Sequence, residues 1–89
     1  MSAARFRICG KVQGVWFRAA TCEQARVLDL RGIVRNLGDG SVEVVAIGND
    51  AALHDLELWL QSGPPLALVD IVQRESLDKV PEIEGFSTL

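Results

Sequence analysis

Apolar and polar positions alternate in Phe6-Arg7-Ile8-Cys9, the period of a half-buried strand, and Gly10 marks where that strand is expected to stop. Residues 10–14 carry two glycines and break regular structure. From Arg18 to Leu28 the pattern changes period: Phe17, Thr21, Ala25 and Leu28 recur at i, i+4, i+8 and i+11, one face of a helix, and Gly32 is expected to end the connection that follows. Two β-rich runs, 33–37 and 41–48, then flank Gly38-Asp39-Gly40, an Asp-Gly turn of the kind that closes hairpins. Asn49 or Asp50 can cap a second helix, in which Leu53, Leu56 and Leu60 share a face beside Trp59. Gly63-Pro64-Pro65 stops that helix, because proline has no amide to donate and clashes with the preceding turn. Leu68–Val72 reads as a further strand, and Phe86–Leu89 as a short terminal one.

The order strand, helix, strand, strand, helix, strand predicts an α+β fold. It is the ferredoxin-like split βαβ sandwich (βαββαβ), an antiparallel sheet with two helices packed on one face. No repeat, low-complexity stretch or linker interrupts it, so residues 1–89 are expected to form one domain. This fold hosts many unrelated activities, and function has to come from particular residues.

Composition narrows the classes. Apolar residues make up 48% and charged residues 24%, a soluble globular balance. No apolar run approaches the ~20 residues that cross a bilayer, and Met1–Arg7 lacks the apolar core of a secretion signal, so a cytoplasmic location is expected. Two cysteines, Cys9 and Cys22, are too few for a disulfide framework or a zinc site and are expected to be reduced and partly buried. His54 has no ligand partners at metal spacing and is expected on a helix surface.

The net charge of −3 is unevenly distributed. Residues 1–36 hold seven basic and two acidic side chains; residues 37–89 hold two basic and ten acidic. A protein that coats nucleic acid is usually basic overall, whereas a local basic region on an acidic chain suits a small anion. An RNA-binding ferredoxin-like domain would also stack bases on aromatics of its sheet face. This chain has no tyrosine, and its aromatics fall mostly on the loop and helices. No nucleic-acid partner and no membrane partner are expected.

Two segments carry candidate chemistry. Between a strand end and a helix start, a loop with Gly14 can turn successive amides inward as an anion nest, and Arg18 adds a guanidinium whose fork matches phosphate oxygens. An ordinary connecting loop would carry the same residues. Asn36 stands near a strand end before a tight turn. Its carboxamide serves either the turn itself or a water molecule that it accepts from and donates to.

Taken together, the segments resemble the paired signatures of the acylphosphatases. The first is Gly10-x-Val12-Gln13-Gly14-Val15-x-Phe17-Arg18; the second is Gly32-x-Val34-Arg35-Asn36, followed by Gly40-x-Val42 and Gly48. The resemblance continues through Thr21, Ala25, Leu28, Trp59-Leu60, Gly63-Pro64 and Ala67-x-Val69, and is weakest at the end. It departs at Ile33, where an aromatic residue is common, at Asp29, where glycine is frequent, and in the tyrosine-free terminus.

The resemblance implies hydrolysis of the carboxyl–phosphate bond of acyl phosphates. Arg18 and the amides of Val12, Gln13, Gly14, Val15, Trp16, Phe17 and Arg18 would hold the phosphoryl oxygens, and Asn36 would position the attacking water. It implies no cofactor and no metal, a proton acceptor on the substrate's own phosphate, and inorganic phosphate as product or inhibitor. Neither segment contains a histidine, a cysteine or a carboxylate suited to base catalysis, and Asp39 is explained by its turn. A monomer suffices. The alternatives are a catalytically silent anion-binding or regulatory domain of the same type, and a piece of a larger carbamoyl-phosphate-using maturation protein, whose zinc modules are not in this sequence.

Overall fold

A computed structural model describes all residues from Met1 to Leu89. Five strands and two helices follow in the order β1 (Ser2–Lys11), α1 (Phe17–Val27), β2 (Arg31–Asn36), β3 (Val42–Gly48), α2 (Asp50–Leu60), β4 (Leu68–Ser76) and β5 (Phe86–Thr88). They form one sheet in the order β4-β1-β3-β2-β5. The two helices lie on one of its faces, as the βαββαβ pattern requires.

The sheet is mixed rather than wholly antiparallel. β5 lies parallel to β2, with Gly32 opposite Phe86 and Val34 opposite Thr88, while every other pairing is antiparallel. β1 does not stop at Gly10: it runs to Lys11 through a register shift between Cys9 and Gly10. β4 continues past Val72 to Ser76, four residues beyond its apolar segment, because Gln73–Ser76 pair with Ala4–Arg7 of β1. Gly32 lies inside β2 instead of ending the connection. A Cβ there would lie 1.8 Å from the Val45 carbonyl oxygen, so only glycine lets β2 approach β3 this closely.

The core lies between sheet and helices. Phe6 and Ile8 of β1, Val34 of β2 and Val42 and Val44 of β3 alternate inward and meet Phe17, Cys22 and Ala25 of α1 and Leu53, Leu56 and Leu60 of α2. Both helical stripes read from the sequence are therefore core faces. The opposite sheet face is partly covered by the β4–β5 connection, tied down by Leu77 N–H to the Ala3 carbonyl (3.0 Å) and by Arg31 Nη1 to the Ile83 carbonyl (3.2 Å). Ala3 and Ile47 are buried although they point away from the helices.

Helix ends differ in a way that bears on the site. Asn49 caps α2, its Oδ1 accepting the Ala52 amide at 2.7 Å, with Asp50 in the first turn. α1 starts without a side-chain cap or an acidic residue in its first turn. It ends in a left-handed residue, Asp29 (φ 58°), with the Leu30 amide on the Ala25 carbonyl and the Asp29 amide on that of Arg26. That is the bonding of a Schellman close, made with aspartate where glycine is the favoured residue.

Candidate active site

The loop between β1 and α1 is built from buried anchors and exposed backbone. Val12, Val15 and Phe17 are buried, and Phe17 packs against Trp59 with ring centroids 6.0 Å apart. Between these anchors Gly14 (φ 73°) and Trp16 (φ 65°) are left-handed, a conformation natural for glycine and rare for tryptophan. An added Cβ on Gly14 would meet nothing within 4 Å, so glycine is required there for its backbone and not for space.

The consequence is a run of unpaired donors. No amide from Gln13 to Ala19 donates a hydrogen bond within the protein. The last three of these are the orphan amides of the first turn of α1, at the positive end of the helix dipole. Left-handed residues spaced within a loop turn successive N–H groups toward one concavity, which favours an anion.

A cleft of ≈ 460 Å³ opens at this point, lined by Val12, Gly14, Trp16, Phe17, Arg18, Ala19, Asn36 and Thr88. Arg18 is the only ionisable side chain among them. Its Nη1 donates to a main-chain oxygen of Leu89 at 2.8 Å, and it pairs with no aspartate or glutamate side chain, unlike Arg5, Arg7, Arg35 and Arg74. The Asn36 carboxamide, at the end of β2, is exposed and bonds to no other protein group. The structure thus brings Arg18 and Asn36 to one cleft from different elements.

Two residues read as part of the cradle take a different position. Gln13 does not line the cleft; its Nε2 donates to the Leu37 carbonyl at 2.8 Å and to that of Ser41 at 2.9 Å, tying the loop to the β2–β3 turn. Val15 points into the core. Neither residue is among those that line the cleft, and neither side chain reaches it.

The turn that receives Gln13 is itself braced. Asp39 Oδ1 accepts the Ser41 amide at 3.0 Å and the Ser41 hydroxyl, and its other oxygen pairs with Arg7. These contacts, Ser41 foremost and Arg7 after it, hold the Asp39 carboxyl well below the usual carboxylate range. Asp39 is fully committed to the turn.

Ala19 and Thr88 were not legible as site residues. Thr88 reaches the cleft only because β5 lies parallel to β2 beside Val34, and no local pattern carries that pairing.

The family model named Acylphosphatase matches residues 4–88. The chain belongs to the acylphosphatase family. It is 56% identical over 88 residues to an acylphosphatase of Xanthomonas oryzae pv. oryzae, covering 99% of both chains. Among solved structures, the acylphosphatase of Coxiella burnetii superposes with a TM-score of 0.94 at 38% identity, covering 99% of this chain and 92% of the other. That of Bacillus subtilis superposes with a TM-score of 0.96 at 30% identity, covering 100% and 99%. The chain is accordingly an enzyme that hydrolyses acyl phosphates to a carboxylate and inorganic phosphate. The silent regulatory reading finds no support. No helix is long and apolar enough to cross a membrane.

Proposed function

We propose that the cleft between Gly14, Arg18 and Asn36 is where the acyl phosphate is cleaved, with the phosphoryl group seated on the amides of residues 12–18 and the Arg18 guanidinium. The observation that carries this is the uninterrupted run of unpaired amides from Gln13 to Ala19 beside the one cationic side chain of the cleft. A phosphoryl dianion supplies the missing acceptors and the missing negative cap of α1 together. Leu89, by holding Nη1, leaves the remaining guanidinium N–H groups of Arg18 for the phosphoryl oxygens.

Asn36 orients the attacking water through its free carboxamide. The water oxygen attacks phosphorus as the bond from phosphorus to the acyl oxygen breaks, and that electron pair leaves with the carboxylate. A water proton passes to a phosphoryl oxygen. The leaving group is good and the transition state loose, so positioning and electrostatic stabilisation supply most of the acceleration. No histidine, cysteine or carboxylate lines the cleft, in keeping with a water activated by the substrate itself. The reaction is metal-independent on this reading, and inorganic phosphate binds as product and inhibitor.

Residues 1–89 act as a single domain, a monomer working in the cytoplasm, and the two free cysteines agree with a reducing compartment. Benzoyl phosphate hydrolysis in excess chelator tests the assignment. Wild type is expected to turn over, Arg18→Ala to lose binding and turnover together, and Asn36→Ala to lose chiefly kcat. Loss of wild-type activity in chelator refutes the metal-free route. Wild-type kcat in Asn36→Ala refutes the role of the carboxamide.

A further inference from the structure

The left-handed backbone of Trp16 shapes the cradle, but phosphate binding does not explain why the residue there is tryptophan. Its side chain is 78% exposed, packs in no core and caps no helix, yet its backbone takes a left-handed conformation that bulky residues avoid. The neighbouring Phe17 already anchors the loop. Trp16 lines the phosphoryl cleft, and it also lines a second groove of ≈ 580 Å³. The two concavities share Trp16, Ala19 and Thr88, and the second runs on along α1 past Ala20 to Arg26.

This continuity sets what meets the indole. When the phosphoryl group sits in the cradle, the rest of the substrate must leave over the rim, and the rim facing α1 consists of Trp16, Ala19 and Thr88. Beyond it the near half of the groove carries no charged side chain. Glu23 and Arg26 line the groove further along α1, where Arg26 Nη2 is bonded to the Phe86 carbonyl at 2.8 Å. Ala19 and Ala20, three and four residues on, share the indole's side of α1 and leave a slot beside it.

We propose that this slot receives the acyl group, and that Trp16 is a specificity-determining residue selecting flat, uncharged acyl chains of aromatic character over acetyl-sized ones. The proposal rests on seating the phosphoryl group in the cradle of residues 12–18. An offset or edge-on aromatic contact strengthens binding of such an acyl group and gives a two-carbon chain almost nothing.

The test compares kcat/KM for benzoyl phosphate and acetyl phosphate, by phosphate release, in wild type, Trp16→Gly and Trp16→Phe. Glycine accepts the left-handed backbone, and phenylalanine keeps an aromatic face. Damage to the cradle is common to both substrates and cancels in the benzoyl-to-acetyl ratio. That ratio is expected to fall about fivefold in Trp16→Gly, within the range of one aromatic contact, and to return most of the way in Trp16→Phe. An unmoved ratio in the glycine variant, or an equal fall in the phenylalanine variant, overturns the acyl slot while leaving the cradle assignment standing. A wild type inactive on both substrates overturns the cradle assignment and the slot with it.

Discussion

Replacing Gln13 by methionine removes the tether between the cradle and the β2–β3 turn while keeping the length of the side chain. Two hydrogen bonds are lost, from Nε2 to the Leu37 and Ser41 carbonyls. Neither carbonyl is orphaned: Leu37 O still accepts the Gly40 amide at 3.3 Å, and Ser41 O the Leu37 amide at 2.8 Å. The cost is therefore that of two made bonds without a desolvation penalty on the partners, roughly 1–2 kcal/mol in total. In a domain of this size that lowers Tm by roughly 6–12 °C. The kinetic effect is expected to be larger than the stability effect implies. Asn36 directly precedes Leu37, so the same two bonds hold the strand end that carries the carboxamide against the loop that carries the amides. Small displacements of positioned groups cost up to about 100-fold, and a fall of about 10- to 100-fold in kcat/KM is expected. Thermal unfolding followed by circular dichroism and steady-state hydrolysis of benzoyl phosphate measure the two effects on one preparation. Gln13→Glu sharpens the comparison, because a carboxylate facing two carbonyls has no donor and repels both; it should be worse than methionine at neutral pH. Wild-type Tm together with wild-type kcat/KM in Gln13→Met would refute the tether.

Other expectations follow from single residues. Asp29→Gly relieves the left-handed aspartate that closes α1 and should raise stability by about 0.5–1 kcal/mol in urea denaturation; no gain would mean that the aspartate is compensated there. Asp39 has a folded-state pKa depressed below its unfolded value, so its contribution is present above about pH 4 and is lost as pH falls through the folded value. The stability gap between wild type and Asp39→Asn should be constant from pH 5 to 8 and close in stronger acid, as read by denaturation across pH; a gap that closes near neutrality would contradict this. Cys22 is buried with its thiol pKa raised by that burial, against a smaller opposing effect of Arg26, so a thiol reagent should label the half-buried Cys9 first; faster labelling of Cys22 would place it wrongly.

Much of the fold was legible because its signals are local. The helical stripes of Phe17, Thr21 and Ala25 and of Leu53, Leu56 and Leu60 are core faces, and the Asp39-Gly40 turn closes the hairpin whose last pair is Asn36 with Val42. What escaped is set by distant partners. Gln73–Ser76 has no apolar alternation, and its strand exists only because β1 offers an edge to pair with. Gly32 looks like a breaker until β3 is placed against it. β5 is three residues long and lies parallel to a strand some fifty positions earlier, a pairing no turn announces.

The site divides along the same line. Arg18 and Asn36 were linked through the resemblance to the paired acylphosphatase signatures, because each alone reads as an ordinary loop or turn residue. The amides of the cradle followed from the loop's place between strand and helix. Thr88, the main-chain oxygen of Leu89 and the brace from Arg7 through Asp39 and Ser41 to the Gln13 tether depend on tertiary register, and pattern along the chain says nothing of them. Gln13 shows the limit most clearly, since a residue inside the loop motif spends its side chain on the turn instead of the ligand.

The amides of residues 13–19 are tested most directly as the phosphate seat by titrating the ¹⁵N-labelled protein with inorganic phosphate, followed amide by amide in two-dimensional NMR. Saturable shifts are expected to concentrate on residues 13–19 and on the Arg18 side chain, with little change on the outer sheet face around Arg5, Arg7 and Arg35, where arginines are already paired with carboxylates. Shifts centred on that outer face, or an Arg18→Ala protein that binds phosphate as wild type does, would contradict it.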